Sequence, residues 1–346
     1  MNLVKKLLLL GLCLVIAGGA VFAAGGKQAG GGKIKIYFIP KNLGNPYFVA
    51  LGSGFEAALK ELDPNGEKYE YIFTGPATPE ATSQIEYIEA AVQNGAKAIF
   101  IAANSNDALN ATFDDARRRG TRIYIINQDI PGSESHRDAA IMPVNFDTVG
   151  VAQLDLMGGY INWEGEFAIL SATTDAPDQN YWVQSMRDEL AKGSPKYAKM
   201  KLVDVVYGDD QPEKSTTEME ALLTKYPNLK GVIAPTTVGI AAAAKVAQTR
   251  GVADRVKVTG LGLPSEMKEF VVDGSSPGFQ LWDPPAEGYL GVYLVDAEVN
   301  QGFTPAPGAT FKAGKLGEYK ILPNGQILTL QTPKLFDKNN LQDFVY

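Results

Sequence analysis

Cysteine and histidine are almost absent from this chain of 346 residues, which has one of each. The one cysteine, Cys13, lies in an apolar N-terminal run, so the rest of the chain can form neither disulfides nor thiolate metal sites. The one histidine, His136, excludes paired-histidine metal sites and leaves one candidate base for a serine triad. We therefore predict no metal, and no catalytic motif indicates a particular reaction.

Basic residues are also in deficit, with 32 Lys and Arg against 39 Asp and Glu and a net charge of −7. No basic tail or stripe is present, which argues against a nucleic-acid partner. Gly314-Lys315 is followed by Leu316 and not by Ser or Thr, so no phosphate-binding loop is predicted. Asp209-Asp210 lacks the spacing of a calcium loop. We expect no cofactor, and nothing in the sequence indicates an oligomer, so a monomer is expected.

The N-terminal apolar run is too short for a transmembrane anchor, which needs about 20 residues. Lys5-Lys6 precede an apolar segment and then small residues, the pattern of a signal peptide over residues 1–24 that is cut near Ala23 or Ala24. Leucine precedes Cys13 where a lipoprotein signal favours a small residue, and lipidation of Cys13 stays open. Glycine-rich residues 25–33 read as a flexible tether. The predicted location is the periplasm.

From Ile34 onward, apolar β-branched runs alternate with helical patterns, which predicts an α/β fold with parallel sheets covered on both faces. The alternation restarts after about Asn145, so we predict two doubly wound lobes joined by a hinge. Crossings are expected near Asn145, Pro284 and Thr332. Asn324-Gly325 predicts the turn of a hairpin near the end of the chain. The expected lobes are residues 34–145 plus 284–331 and residues 146–283 plus 332–346.

Polar side chains follow the predicted strands, and the carboxyl ends of parallel strands are where ligands bind in open α/β sheets. Lys41 follows the first strand, and Asn127 and Asp129 follow the fourth. A cleft between two lobes with both such edges facing inward is the expected site. Asp178 and Asp283 are also candidates for a carboxylate pair in glycoside chemistry. A secreted α/β enzyme acting on a carbohydrate therefore remains the alternative.

Five short segments carry a resemblance to a known family: Phe38-Ile39-Pro40-Lys41, Thr74-Gly75-Pro76 with Gln84, Asp178 to Val183, Ile233-Ala234-Pro235 and Leu281-Trp282-Asp283. In this order and spacing they resemble the periplasmic sugar-type solute-binding proteins of ABC importers. Among these, the chain is most similar to the Lsr-type autoinducer-2-binding proteins and to the rhamnose-binding proteins. The resemblance extends from about Ile34 to the C-terminus.

The resemblance implies ligand-binding roles for Lys41, Asp178, Gln179 and Pro235. It departs at Thr237, where the family has alanine, and at Asn127, where it has aspartate, with Asp129 two residues further on. Asparagine offers one acceptor and one donor where aspartate offers only acceptors, so the ligand is left open. The remaining candidates are Asp283 as a ligand residue and four aromatic walls for the sugar ring, Tyr47, Phe48, Trp182 and Trp282.

The implied function is delivery of a small sugar-like ligand, of the autoinducer-2 or rhamnose class, to an ABC transporter. Hinge closure around the ligand is the expected mechanism. A membrane permease or a chemoreceptor is the expected protein partner. The chain is not expected to be an enzyme.

Overall fold

The computed structural model describes residues 32–344. The predicted signal peptide, Cys13 and most of the tether lie outside these residues. The strands of the described chain are β1 (Ile34–Ile39), β2 (Tyr69–Phe73), β3 (Ala96–Ile101), β4 (Arg122–Ile126), β5 (Ala139–Met142), β6 (Glu164–Ser171), β7 (Lys199–Tyr207), β8 (Leu229–Ala234), β9 (Lys257–Gly260), β10 (Gly278–Leu281), β11 (Thr310–Lys312), β12 (Glu318–Lys320), β13 (Gln326–Leu328) and β14 (Lys334–Asp337). The α-helices are α1 (Pro46–Leu62), α2 (Ile85–Gln93), α3 (Asn110–Arg118), α4 (Val149–Tyr160), α5 (Pro177–Ala191), α6 (Pro212–Lys225), α7 (Thr237–Thr249), α8 (Pro264–Val272) and α9 (Pro284–Gln301).

The first sheet has the order β2-β1-β3-β4-β5-β13, and all its pairings are parallel. Successive residues of β1 face opposite sides, as a strand requires. Phe38 packs against Phe55 of α1 at a ring distance of 5.4 Å, whereas Ile39 lies in a cluster with Ile88 of α2 and Phe113 of α3. Helices thus cover both faces, which explains why these strands are almost continuously apolar.

The second sheet has the order β7-β6-β8-β9, again with parallel pairings. A parallel bridge between Leu261 and Gln280 connects β10 to its edge, and β14 pairs with β10 in the antiparallel sense. Leu154 of α4 and Met186 of α5 pack on one face. Met219 of α6 lies in the cluster on the other face. The sheet is therefore sandwiched between helices, like the first.

The chain passes between the two sheets three times. It leaves the first sheet after β5, returns after β10, and leaves again after β13 to form β14 beside β10. Helix α9, which follows the second passage, packs along α1 of the first sheet. Each sheet is therefore built from segments that are distant in sequence.

The predicted α/β class with parallel, doubly covered sheets is confirmed, but several local predictions were wrong. Residues Leu322 to Gln326 do form a turn. However, the strands on its two sides do not pair with each other, because β12 pairs with β11 and β13 pairs with β5. The predicted hairpin at Asn324-Gly325 is therefore wrong. Helix α2 begins only at Ile85, because turns occupy the residues before it. Strands β5, β11 and β14 were not predicted.

Within residues 32–344, every helix is too short or too polar to cross a lipid bilayer. The same residues contain no group of three or more His, Cys, Asp or Glu side chains that is arranged to hold a metal ion.

Candidate functional site

The carboxyl ends of the strands in both sheets meet around a small, partly open cavity of about 30 Å³. The first sheet contributes the segments after β1 and β4, and the second contributes the segments after β6, β7 and β8. A cavity of this volume holds roughly one water molecule. The side chains themselves therefore occupy most of the space between the two edges.

An ion pair between Lys41 and Asp178 spans the two edges. Lys41 Nζ lies 2.5 Å from Asp178 Oδ1 and 3.2 Å from Gln179 Oε1, and both charged side chains are almost fully buried. Asp178 lies in the first turn of α5, where the helix dipole favours a carboxylate. Gln179 Nε2 donates to the carbonyl oxygen of Pro235 at 3.3 Å, which connects the pair to the end of β8.

Gln84 and Asn104 hold the segment that carries Lys41. Gln84 Nε2 donates to the carbonyl oxygens of Pro40 and Ala102, and Gln84 Oε1 accepts from the backbone N–H of Asn104. Asn104 Nδ2 donates to the carbonyl oxygen of Lys41 at 2.9 Å. These bonds satisfy buried backbone groups just beyond the strand ends and fix the direction in which the lysine leaves β1.

A second contact between the two edges runs through Asn45 and Thr237. Asn45 caps α1, since its Oδ1 accepts from the Tyr47 backbone N–H at 3.0 Å. The hydroxyl of Thr237, the first residue of α7, donates to the same oxygen at 3.1 Å. Position 237 is therefore a threonine where the family that the chain resembles has alanine, and the hydroxyl of this threonine connects the two edges.

The Tyr47 hydroxyl is the centre of a buried hydrogen-bond network. It accepts from Trp282 Nε1 at 2.6 Å, and it lies 2.5 Å from Asn127 Oδ1 and 2.8 Å from Glu287 Oε1. Asn127 has a φ of 71°, the left-handed conformation that asparagine tolerates better than most residues. Burial raises the pKa of both Tyr47 and Glu287 well above their ordinary values.

Four aromatic side chains form much of the apolar part of the cavity wall, together with Leu261 and Leu281. Trp182 and Trp282 lie 6.0 Å apart between ring centroids, and Tyr47 meets Phe48 edge to face at 5.3 Å. The indole nitrogen of Trp182 is buried and has no hydrogen-bond partner among the described residues. Rings beside carboxylate and amide groups suit a ligand with hydroxyls on its edge and an apolar ring face.

Asp210 is a cavity residue that the sequence did not single out. It follows β7, is 8% exposed, and its Oδ1 accepts from the Thr236 hydroxyl. Asp209 and Asp210 both have positive φ, an uncommon conformation that costs energy and that often marks a functional segment. Burial raises the pKa of Asp210, although Thr236 and Lys41 lower it in part.

The structure brings most of the predicted site residues together. The predicted ligand residues in the cavity wall are Lys41, Asn127, Asp178, Gln179, Pro235 and Thr237, and all four predicted aromatic walls line it as well. Asn45, Asp210 and Glu287 were missed. The rule that polar residues follow strand ends would have identified Asp210, but no pattern marks Glu287, which lies within a helix.

Asp129 and Asp283 lie elsewhere. Asp129 forms a buried two-point ion pair with Arg137, at 2.6 Å for each bond, and also accepts from Gln326 Nε2 at 2.7 Å. It borders a separate cavity of about 210 Å³. Asp283 caps α9 through the backbone N–H of Ala286 and is exposed. Both carboxylates therefore stabilise the fold locally and do not face the small cavity.

Two parallel sheets whose carboxyl edges face each other across a polar, aromatic-lined cavity form the architecture of a solute-binding protein. A family profile described as a periplasmic binding protein domain matches residues 36–302. The chain belongs to this family, which confirms the predicted family and fold.

Solved structures agree with this assignment. A sugar ABC transporter protein from Actinomyces odontolyticus is 36% identical, with a TM-score of 0.70 over 91% of this chain and 100% of that one. A solute-binding protein from Clostridium phytofermentas with bound L-rhamnose is 31% identical, with a TM-score of 0.82 over 90% and 98% of the two chains. LsrB from Clostridium saccharobutylicum in complex with AI-2 has a TM-score of 0.82 over 90% and 100%, and at 20% identity it shows the fold alone. The chain is a sugar-type binding protein of an ABC transporter and not an enzyme.

Proposed function

We propose that this protein binds a monosaccharide of the rhamnose class between its two sheets and presents it to an ABC permease. The observation that carries the proposal is the meeting of Lys41, Asp178 and Gln179 in one cavity walled by tryptophan rings. The relative with bound L-rhamnose supports this class, since it is 31% identical over 90% of this chain.

The side chains match both the hydroxyl groups and the apolar surface of a deoxy sugar. The Asp178 carboxylate accepts from neighbouring hydroxyls and Lys41 donates to them, and such charge-assisted bonds contribute about 1.5–3 kcal/mol each. Trp182 and Trp282 provide apolar surface for the ring face and for a methyl group. Autoinducer-2 is the second candidate, because the same three polar residues are those that the resemblance implies for it.

Binding requires the two sheets to move relative to each other. A monosaccharide is several times larger than the roughly one water molecule that the cavity accommodates. We propose lobes of residues 34–145 plus 284–331 and residues 146–283 plus 332–346, which hinge at the three chain passages. The ligand enters when the lobes are apart, and its hydroxyls take over part of the bonding between Lys41 and Asp178. Closure is driven by the tighter binding of the ligand in the closed form.

A thermal-shift screen of L-rhamnose, autoinducer-2, ribose, arabinose and xylose tests the proposal. A ligand at 100 times its dissociation constant stabilises the folded state by about 2.7 kcal/mol, which is a readily measured shift. We expect L-rhamnose to give the largest shift. If no sugar raises the melting temperature, the proposed function is wrong; if autoinducer-2 exceeds rhamnose, the ligand class is wrong.

Family membership implies an extracytoplasmic location. We propose that the protein reaches it through cleavage near Ala23 or Ala24 and then acts as a monomer that docks on a permease or a chemoreceptor. Intact-mass measurement of the exported protein tests the cleavage position. A mass that still contains the first 24 residues would contradict it.

A further inference from the structure

The network around Tyr47 has more acceptors than its hydroxyl has protons. A tyrosine hydroxyl carries one proton and accepts through its lone pairs. Trp282 Nε1 is a donor only, so the tyrosine accepts from it. Asn127 Oδ1 and Glu287 Oε1 then both face the oxygen, at 2.5 Å and 2.8 Å. If Glu287 is ionised, two acceptors share one proton.

Two arrangements remove this conflict. In the first, Glu287 is protonated and donates to Tyr47, and Tyr47 donates to Asn127 Oδ1. In the second, Glu287 is ionised and accepts from Tyr47, and the Asn127 amide is rotated so that Nδ2 donates to the tyrosine. The two arrangements present opposite atoms of Asn127 to a ligand, the donor Nδ2 in the first and the acceptor Oδ1 in the second.

The surroundings of Glu287 favour the protonated form. Its side chain is fully buried, and its Oε2 has no hydrogen-bond partner among the described residues. None of the ion pairs in residues 32–344 includes it, and the facing titratable groups are Tyr47 of α1 and the like-charged Asp283 at the start of α9. A buried, unpaired carboxylate is costly, so the group binds a proton instead. Burial correspondingly raises the pKa of Glu287, although Tyr47 and the Asn127 backbone N–H lower it in part.

We propose that Glu287 is a positioning residue that retains a proton and, through Tyr47, holds the Asn127 amide with Nδ2 toward the ligand. The ligand then presents an acceptor at this position, such as a ring oxygen or a hydroxyl oxygen. Glu287 itself does not line the cavity, whereas Asn127 does. The ligand-related part of this inference rests on the proposed function, but the protonation of Glu287 does not.

Infrared spectroscopy tests the protonation without any ligand. The difference spectrum between the wild type and Glu287→Gln at neutral pH is expected to contain the C=O band of one protonated carboxylic acid. Glu134→Gln is the control, because the backbone N–H groups of Glu134 and Gly132 lower the pKa of Glu134, so its difference spectrum is expected to contain carboxylate bands only. A difference spectrum with carboxylate bands only would overturn the proposal. If Glu287→Gln fails to fold, a carbon-13 NMR titration of glutamate-labelled wild type locates the raised pKa directly.

The pH dependence of sugar binding tests the positioning role. Because the raised pKa means that the proton is bound at low pH and lost as pH rises through it, the affinity for L-rhamnose is expected to fall about tenfold toward alkaline pH. Glutamine donates an N–H to Tyr47 at every pH, so Glu287→Gln is expected to bind without this step. Equal pH profiles of wild type and variant would contradict the role. Absence of rhamnose binding in the wild type would refute the proposed function and leave the infrared result intact.

Asn127→Asp provides a second variant at the ligand-facing end of the network. Aspartate is also tolerated at positive φ, so the backbone is expected to remain in place. The change replaces the donor Nδ2 by an acceptor oxygen, and the preference among sugars is expected to change by about tenfold or more. An unchanged order of sugar affinities would show that Asn127 does not present Nδ2 to the ligand.

Discussion

Asp178 is the side chain that connects most parts of the site. It accepts from Lys41 of the opposite edge, lies at the start of α5 and precedes Gln179, which reaches the end of β8. Because both charges are buried, removing either partner leaves the other without compensation. Loss of one partner of a buried charged pair costs about 2–5 kcal/mol.

Asp178→Ala is therefore expected to weaken sugar binding by about 100-fold or more, measured by titration calorimetry with L-rhamnose. Asp175→Ala is the matched control, since Asp175 lies in the loop just before α5 and is exposed. The control is expected to bind like the wild type. A dissociation constant for Asp178→Ala within about threefold of the wild type would place the ligand elsewhere.

Residue patterns located only part of this site. Lys41 and Asn127 follow strand ends, which a single sequence reveals, and the resemblance identified Asp178, Gln179 and Pro235. The ion pair of Asp129 with Arg137 depends on how two loops meet, so nothing in the sequence separated Asp129 from Asn127. The left-handed conformation of Asn127 and the burial of Glu287 are likewise products of tertiary structure.

At the scale of elements, α1 and α9 approach so closely that glycine is required at their contact. A Cβ on Gly54 would lie 1.9 Å from the carbonyl oxygen of Pro285, and one on Gly288 would lie 2.4 Å from that of Leu51. This contact orients the start of α9, and with it Glu287, against Tyr47 of α1. The helix pair thereby connects fold stability to the geometry of the site.

Gly54→Ala is expected to destabilise the protein by about 1–3 kcal/mol, as overpacking does, in urea unfolding followed by circular dichroism. Gly159→Ala in α4 is the control, because a Cβ there meets nothing within 4 Å and alanine favours helix by about 1 kcal/mol. The two substitutions are expected to change stability in opposite directions. Equal effects would mean that α1 and α9 can separate without cost.

The predictions for elements succeeded for the long apolar strands and failed for short strands, some of which have distant partners. The long apolar strands and their covering helices follow from pattern alone. Strand β13 has three residues and pairs with β5, and β14 pairs with β10, each far away in sequence. A short strand whose partner is distant has no local signature, so the turn near Asn324 was taken for a hairpin.

For the whole molecule, a few side-chain hydrogen bonds join the facing edges of the sheets: those of Lys41 with Asp178 and Gln179, of Thr237 with Asn45, and of Trp282 with Tyr47. The three chain passages also connect the two sheets, at points other than these hydrogen bonds. The relative position of the sheets therefore depends in part on a few polar contacts, and we expect the hydroxyls of the proposed ligand to replace some of them. Such an arrangement favours two alternative positions over continuous deformation.

Lys41→Met is expected to separate the lobes in the absence of ligand, because Asp178 would otherwise stay buried without a partner, at a cost of about 3–5 kcal/mol. Since Cys13 is the sole cysteine, spin labels on Val49→Cys and Val272→Cys in a Cys13→Ser background report one distance. Both sites are exposed, at 57% and 79%, on α1 and α8.

The distance distribution of Lys41→Met is expected to shift from that of the parent and to respond little to L-rhamnose, whereas the parent responds fully. Lys199→Met is the control, because it removes an exposed ion pair with Glu164 within the second sheet and leaves the cavity untouched. Exposed pairs contribute little, so this control is expected to retain the parent distribution. If Lys41→Met also retains it, the ion pair does not hold the lobes together, and closure must depend on the Asn45–Thr237 contact and the aromatic packing instead.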